Sequence, residues 1–335
     1  MKVAVFNARR YDRQFLDAAN AEAKHQLIYF ETGLEPKTAL LADSCSAVCA
    51  FVNDDLGAET LRLLAEQGVR FVVLRCTGFN NVDLKAAAEL GIQVARVTVY
   101  SPYSVAEHAV ALMLMLNRKL YRAYNRVRDD NFSLEGLMGF DLHGRTVGIV
   151  GTGKIGRIVG QILHGFGCQV LGYDPYPNPD FEAIDGAGYV SLEALLSRSD
   201  IVSLHCPLTP ENYHLIDRQT IALMKPGTML INTSRGKLID TAATIEGIKS
   251  GRIGYLGIDV YEEEETLFFR DLSDTVIQDD RLQLLQSFPN VIITGHQAFF
   301  TADAITQICE TTIANLSDFE AGRPCANVLS RACQI

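Results

Sequence analysis

The sequence is poor in the features that mark membranes, metals and nucleic acids. Its longest apolar run, Ala109 to Leu116, falls far short of the roughly 20 residues a helix needs to span a bilayer. The eight cysteines include no CxxC pair and no spacing with histidine that suits a metal. They read as reduced, mostly buried small apolar residues of a cytoplasmic protein. Positive charge is scarce as well: 30 Lys and Arg stand against 40 Asp and Glu, a net −10. That balance argues against nucleic acid or an acidic membrane surface as partner, although a local cluster of positive groups can still bind a small anion. The first residues, MKVAVFNARR, enter a strand-like run without a signal-peptide pattern. Repeats and low-complexity segments are absent.

What the chain does have is apolar residues, 48% of 335, too many positions for one ordinary core and suited to about two domains. Short apolar runs alternate with helix-like stretches throughout, the pattern of α/β architecture with parallel sheets. In the first third, strands are predicted at 2–6, 27–31, 47–51, 71–75 and 92–95, with helices at 56–67 and 83–90. In YSPYSVAEHAVALMLMLNR (100–118) a loop with Pro102 leads to a predicted capping box, Ser104 to Glu107, and then a long apolar helix. A change of domain is expected there.

The most informative stretch is TVGIVGTGKIGRIVGQILHGFGCQVLGYD (146–174). A buried strand precedes Gly151, Gly153 and Gly156, a helix carrying Lys154 and Ile155 follows, and a second strand ends at Asp174. Each glycine answers a separate demand of dinucleotide binding: a tight turn, close backbone approach to the pyrophosphate, and helix–sheet contact. The helix N-terminus suits the negative charge. Asp174 would accept hydrogen bonds from the adenosine ribose and repel a 2′-phosphate, and PYPNPD after it supplies no cation, so NAD is expected rather than NADP. A P-loop is excluded, because Ile155 stands where Ser or Thr must bind magnesium.

Further strands end in polar residues: 201–204 at His205, Cys206 and Pro207; 229–232 at Thr233, Ser234 and Arg235; 255–258 at Asp259; 291–294 at Gly295 and His296. Ligands of open parallel sheets bind beyond the carboxyl ends of the strands, so these residues should line one site with the glycine loop. Arg235 is the natural clamp for a carboxylate or carbonyl. A lone histidine at a strand end is ordinarily a core histidine with a hydrogen-bond partner; convergence with the other strand ends makes His296 a candidate for more. The run Glu262 to Glu265 leaves open which glutamate, if any, faces inward.

With these residues assembled, the whole chain resembles the NAD-dependent D-2-hydroxyacid dehydrogenases, most closely their fermentative D-lactate branch. The resemblance rests on GTGKIG (151–156), HCPLTPENYHLI (205–216), NTSRG (232–236), GIDVYEEEE (257–265) and TGHQAFF (294–300), with RCTGFNNVDL (75–84) and YSPYSVAEH (100–108). It implies two doubly wound parallel-sheet domains, a Rossmann NAD-binding domain (101–297) inserted into a flavodoxin-like substrate domain (1–100 and 298–335). It implies a triad of Arg235, Glu264 and His296, with Glu263 and Glu265 as the alternatives to Glu264. Cys206, Pro207, Asn212, Thr233, Ser234 and Asp259 are expected at the cofactor, Asp259 alternatively behind it. The turn Thr77–Gly78 is expected to donate to the substrate carboxylate, and Tyr100 and Phe299 to wall the pocket.

The implied reaction is NADH-dependent reduction of a small 2-oxo acid, pyruvate first, with hydroxypyruvate, glyoxylate or branched 2-oxo acids as the next choices. An NAD-sensing corepressor is the reading from another class. His205 beside Cys206 raises a thiol nucleophile, but no acid or oxyanion arrangement in the sequence supports it. The stretch from Tyr121 to Asp141 reads as an arm between subunits, and the resemblance implies a homodimer or homotetramer.

Overall fold

The computed structural model describes residues 1–329; positions 330–335, with Cys333 and the end of the 298–335 segment, lie outside the described residues. The chain divides into two compact units, Met1–Ser101 with the segment from Phe300 onward, and Pro102–Phe299.

In the first unit five parallel strands, β1 (Lys2–Val5), β2 (Gln26–Tyr29), β3 (Ala47–Ala50), β4 (Phe71–Leu74) and β5 (Gln93–Arg96), form a sheet in the order β2-β1-β3-β4-β5. The inner strands are continuous apolar runs because helices cover both faces: α1 (Arg10–Ala19), α2 (Ala58–Glu66), α3 (Leu84–Glu89) and the last helix of the chain (Ala302–Glu320). That last helix stacks Phe319 on Phe71 with ring centroids 4.7 Å apart. Beyond it the chain returns to β5, where Leu329 N–H donates to Val94 O at 2.8 Å. At the strand ends a buried guanidinium, Arg75, donates to Asp12 Oδ1 (3.1 Å) and Asn7 O (2.8 Å) and lies over the Phe51 ring. Burial pushes the nearby Cys49 thiol up to about 11, which leaves it inert as a nucleophile.

The second unit is a parallel sheet of seven strands, β6 (Thr146–Val150), β7 (Gln169–Tyr173), β8 (Gly188–Tyr189), β9 (Ile201–Leu204), β10 (Thr228–Asn232), β11 (Ile253–Ile258) and β12 (Val291–Ile293). Their order, β12-β11-β10-β9-β6-β7-β8, is that of a doubly wound Rossmann sheet with an added strand, and the order reverses between β6 and β9. Alternate residues of the strands feed two cores. Val147, Ile149, Met229 and Ile231 pack toward α4 (Pro102–Arg118) and α6 (Lys154–Gly165). Val150, Val202, Leu204 and Leu230 pack with Leu195, Ile221, Ile245 and Leu282 from the helices of the other face, α8 (Leu192–Arg198), α9 (Arg218–Leu223), α10 (Thr241–Lys249) and α11 (Asp280–Ser287). Two further helices, α5 (Leu120–Arg128) and α7 (Pro179–Glu182), complete the unit.

Two features depart from the sequence expectation. The capping box at Ser104 is not a cap: α4 opens at Pro102, and Ser104 is buried inside its first turn. Proline suits that start because its missing N–H is one that a helix leaves unpaired anyway. The strand β8 has no sequence signature, being a two-residue edge strand too short for any period to show. Among the described residues no helix is long and apolar enough to cross a membrane.

Phe181 of α7 shows how tightly the second unit is packed. It is fully buried, and a Cβ on Gly172 would come within 2.5 Å of its ring. Phe181→Ala should lower unfolding stability by about 3–5 kcal/mol through the cavity left behind. Urea denaturation reads this directly, and a loss under about 1 kcal/mol would show that the site collapses without cost.

Candidate active site

The glycine loop follows β6. Gly151 adopts φ +91°, and a Cβ there would sit 2.5 Å from Cys206 N; at Gly156 it would sit 1.9 Å from Gly151 O. Both positions are closed to any side chain. At Gly153, by contrast, a Cβ would meet nothing within 4 Å, so the backbone is open to an incoming group where α6 begins. Lys154 and Ile155 form the first turn of that helix, Lys154 exposed and Ile155 partly buried, and the unpaired N–H groups there favour an anion. Asp174, beyond β7, accepts from Thr152 N (2.8 Å) and Tyr176 N (2.9 Å). Its carboxylate is thereby tied to the glycine loop. Tyr189 of β8 braces the same loop, its hydroxyl 2.6 Å from Thr152 Oγ1.

Across the point where the strand order reverses lie the ends of β9 and β10. Ser234 Oγ donates to Cys206 O at 2.5 Å, joining the two ends. Thr233 is buried, and among the described residues its hydroxyl has no partner. An orphaned hydroxyl at a strand end of the sheet that carries the open glycine cradle fits a polar cofactor. Asn212 is differently employed: its amide donates to Pro207 O (2.7 Å) and its carbonyl accepts from Thr209 N (2.7 Å), so it shapes the loop that carries Cys206 and Pro207. The Cys206 thiol is pushed up to about 11 by burial and by the charge of Asp174, and His205 bonds Ser203 Oγ at 2.8 Å. Both features argue against a thiol nucleophile.

Arg235 follows directly. Its Nη1 donates to Ser234 O (2.7 Å), and among the described residues it has no carboxylate partner. Gly236 makes this placement possible, since a Cβ there would lie 2.1 Å from Tyr261 O. The facing loop carries the four glutamates, and their directions differ. Glu262 accepts from Thr241 N and pairs with His214 at 2.7 Å, Glu263 is exposed, and Glu265 lies 3.6 Å from Lys237. Glu264 alone of the four reaches His296, with Oε1 2.9 Å from Nδ1, while its other oxygen accepts from Tyr261 N at 2.8 Å.

His296 sits at φ +54°, a left-handed conformation that a histidine adopts only when held. Asp259 holds it. Fully buried, Asp259 accepts from Thr294 Oγ1, Gln297 N (2.9 Å) and Ala298 N (2.8 Å), and its carbonyl accepts from His296 N (2.7 Å). Its oxygens are thus consumed by the histidine turn, the position behind the site that was the alternative for this residue. Two neighbours escaped the sequence reading. His108 of α4 lies 3.1 Å from Thr294 Oγ1, and the Phe269 ring lies 5.6 Å from the His296 ring, with Phe269 itself at φ +64°. His108 stood within a quoted motif without a role, and nothing in the sequence marks Phe269. Phe299, the last residue of this unit, is partly buried.

The remaining expected residues belong to the first unit. Thr77 and Gly78 form the turn after β4, and Tyr100 is partly buried beyond β5. Among the described residues no cluster of three or more His, Cys, Asp or Glu is arranged to hold a metal.

Dinucleotide binding together with proton transfer beside an anion clamp is the requirement of the nicotinamide-dependent oxidoreductases. Comparison with known proteins narrows the class. Residues 110–298 match the family model for the D-isomer specific 2-hydroxyacid dehydrogenase, NAD binding domain. The chain is 52% identical to the D-lactate dehydrogenase of Escherichia coli K12 over 329 residues, 98% of this chain and 100% of the relative. The apo-structure of the Escherichia coli D-lactate dehydrogenase superposes with a TM-score of 0.92 over 98% of this chain and 100% of that one, at 49% identity. D-lactate dehydrogenase with NAD+ from Lactobacillus jensenii gives a TM-score of 0.85 at 31% identity, covering 99% and 100%. The chain belongs to the NAD-dependent D-isomer-specific 2-hydroxyacid dehydrogenases.

His205 offers a test of how the cofactor side of the site is built. Desolvation lowers its pKa to about 3, from 6.5 for a free imidazole. Between those values the unfolded chain binds a proton that the folded one refuses. Stability from this group is therefore complete above about pH 6.5 and falls as pH falls, by up to about 1.4 kcal/mol per pH unit. His205→Gln should lose less stability than wild type between pH 7.5 and 5 in urea denaturation; parallel losses would contradict the desolvated ring.

Proposed function

We propose that the protein is a D-lactate dehydrogenase, interconverting pyruvate and D-lactate, with the His296–Glu264 pair, in the same sheet as an Arg235 that has no carboxylate partner among the described residues, as the observation that carries the reading. The Escherichia coli relative bears that name at 52% identity, as does a Salmonella structure at 53% identity. NADH, when bound, supplies the hydride. The groups that would hold it are the Gly151–Gly156 loop with Lys154 and Ile155 at the pyrophosphate, Asp174 at the ribose, and Cys206, Pro207, Thr233 and Ser234 toward the nicotinamide. Asn212 and Asp259 serve these contacts from behind.

Because Glu264 accepts from Nδ1, the Nε2 nitrogen is left to exchange a proton with the substrate oxygen. As imidazolium His296 donates to the oxygen of pyruvate; as neutral imidazole it takes the proton back from D-lactate. Glu264 fixes the orientation of the ring. In the second unit Arg235 binds the carboxylate and polarises the carbonyl and Phe299 serves as a wall; in the first, the Thr77–Gly78 turn is read as a donor of N–H groups to a carboxylate and Tyr100 as a wall. On this reading the first unit is the substrate domain and the second the NAD domain. The exposed apolar side chains of α5 and the following stretch, among them Tyr124, Phe132, Leu134 and Met138, favour a homodimer or homotetramer. The charge and the reduced cysteines favour the cytoplasm.

The two directions should have opposite pH dependence, reduction failing as pH rises and oxidation failing as it falls. His296→Gln should keep NADH affinity and cost about 10²–10⁴ in kcat. Glu264→Gln should lower kcat in both directions while keeping NADH affinity, because the ring loses the carboxylate that orients it. Steady-state rates on pyruvate, hydroxypyruvate, glyoxylate and a branched 2-oxo acid test the substrate, and normal kcat per folded His296→Gln molecule would end the proton-transfer assignment.

A further inference from the structure

The Thr77–Gly78 turn is held by a charged side chain that no motif singled out. Arg96, the last residue of β5, pairs in register with Leu74 of β4, which brings its guanidinium over the turn that follows β4. Its Nη1 donates to Thr77 O at 2.7 Å, and its Cζ lies 4.7 Å from the centre of the Phe79 ring. Among the described residues no carboxylate lies within ion-pair range of Arg96, and its buried Nε has no partner. Among the described residues the charge is therefore met by one carbonyl and one ring face. The backbone on both sides is secured as well: Arg96 N donates to Asn327 O (3.1 Å) and Arg96 O accepts from Asn315 Nδ2 (3.2 Å).

Thr77 O and Gly78 N–H are the two ends of one peptide group. A guanidinium at the oxygen withdraws electron density along the amide and strengthens the N–H as a donor, since a charge-assisted bond polarises the bond that follows it. Among the described residues neither Thr77 N–H nor Gly78 N–H donates to any group of the protein. We propose that Arg96 is a positioning residue for substrate binding, which fixes the Thr77–Gly78 peptide and makes the Gly78 N–H a stronger donor to the substrate carboxylate. This rests on the reading of that turn as a carboxylate donor.

The test uses the full chain with Arg96→Met, which keeps the apolar stem, and Arg96→Lys, which keeps a charged donor. Arg96→Met should raise KM for pyruvate about tenfold, the loss of roughly one charge-assisted bond, with kcat, NADH affinity and thermal unfolding little changed. The KM of pyruvamide, which lacks the carboxylate charge, should move far less, and Arg96→Lys should recover much of the loss. In ¹⁵N-glycine-labelled protein with NADH, adding oxamate, an unreactive isostere of pyruvate, should shift the Gly78 amide proton downfield, and less so in Arg96→Met. Equal losses on pyruvate and pyruvamide, or an unchanged KM with the same Gly78 response in wild type and variant, would overturn the role of Arg96. A Gly78 amide that ignores oxamate in the wild-type protein would instead remove the turn from the carboxylate, and the proposal with it.

Discussion

The proposed chemistry depends on a carboxylate that does not take part in it. Asp259 lies at the end of β11 with no exposure to solvent, where an unpaired charge would be prohibitive. It is stabilised because the 294–298 turn brings a hydroxyl and two N–H groups to its oxygens. Each bond to a buried charge contributes on the order of 1.5–3 kcal/mol, which outweighs the cost of about 1–3 kcal/mol for holding His296 at positive φ. Carboxylate and turn are therefore mutually required. The ring that emerges from the turn has its orientation set before any substrate arrives.

The loop opposite is built by the same division of labour. Glu262 and Glu264 are two residues apart, and each pairs with a histidine while accepting a backbone N–H. Glu262 ties the loop to His214 through one oxygen and to the start of α10 through the other. The second pair, with His296, faces the site. Gly236 allows the Arg235 strand end to lie directly against this loop, so the proposed clamp after β10 and the proposed proton carrier after β12 flank the glutamate loop that follows β11, the strand between them. Orientation of this kind, set by packed backbone, is what lets a few side chains act together.

Much of this was legible in the residues because parallel strands covered on both faces are written as unbroken apolar runs, and because Gly151 and Gly156 answer steric demands of the fold while Gly153 leaves the backbone open. What was not legible depended on direction or on distant partners. Four consecutive glutamates look alike in sequence, and only the turn at 264–266 separates their directions. The bonds of Asn212 to Pro207 and Thr209 within its own loop are likewise not revealed by spacing. Phe269 carries no mark of its left-handed backbone. Arg96 and Thr77 are brought together by strand register, and β8 is too short for any pattern. The substrate and the assembly state are legible only through resemblance, since neither leaves a periodic trace.

The central claim is that Glu264 and Asp259 together fix the His296 ring with the proton on Nδ1 and Nε2 free to work. The ¹⁵N NMR shifts of histidine-labelled protein, followed through the titration of His296, measure this directly. The account predicts that the neutral ring has a protonated Nδ1 and a bare Nε2, and that Glu264→Gln weakens this preference. A neutral ring protonated at Nε2, or one averaging freely between the two forms in the wild-type protein, would contradict it.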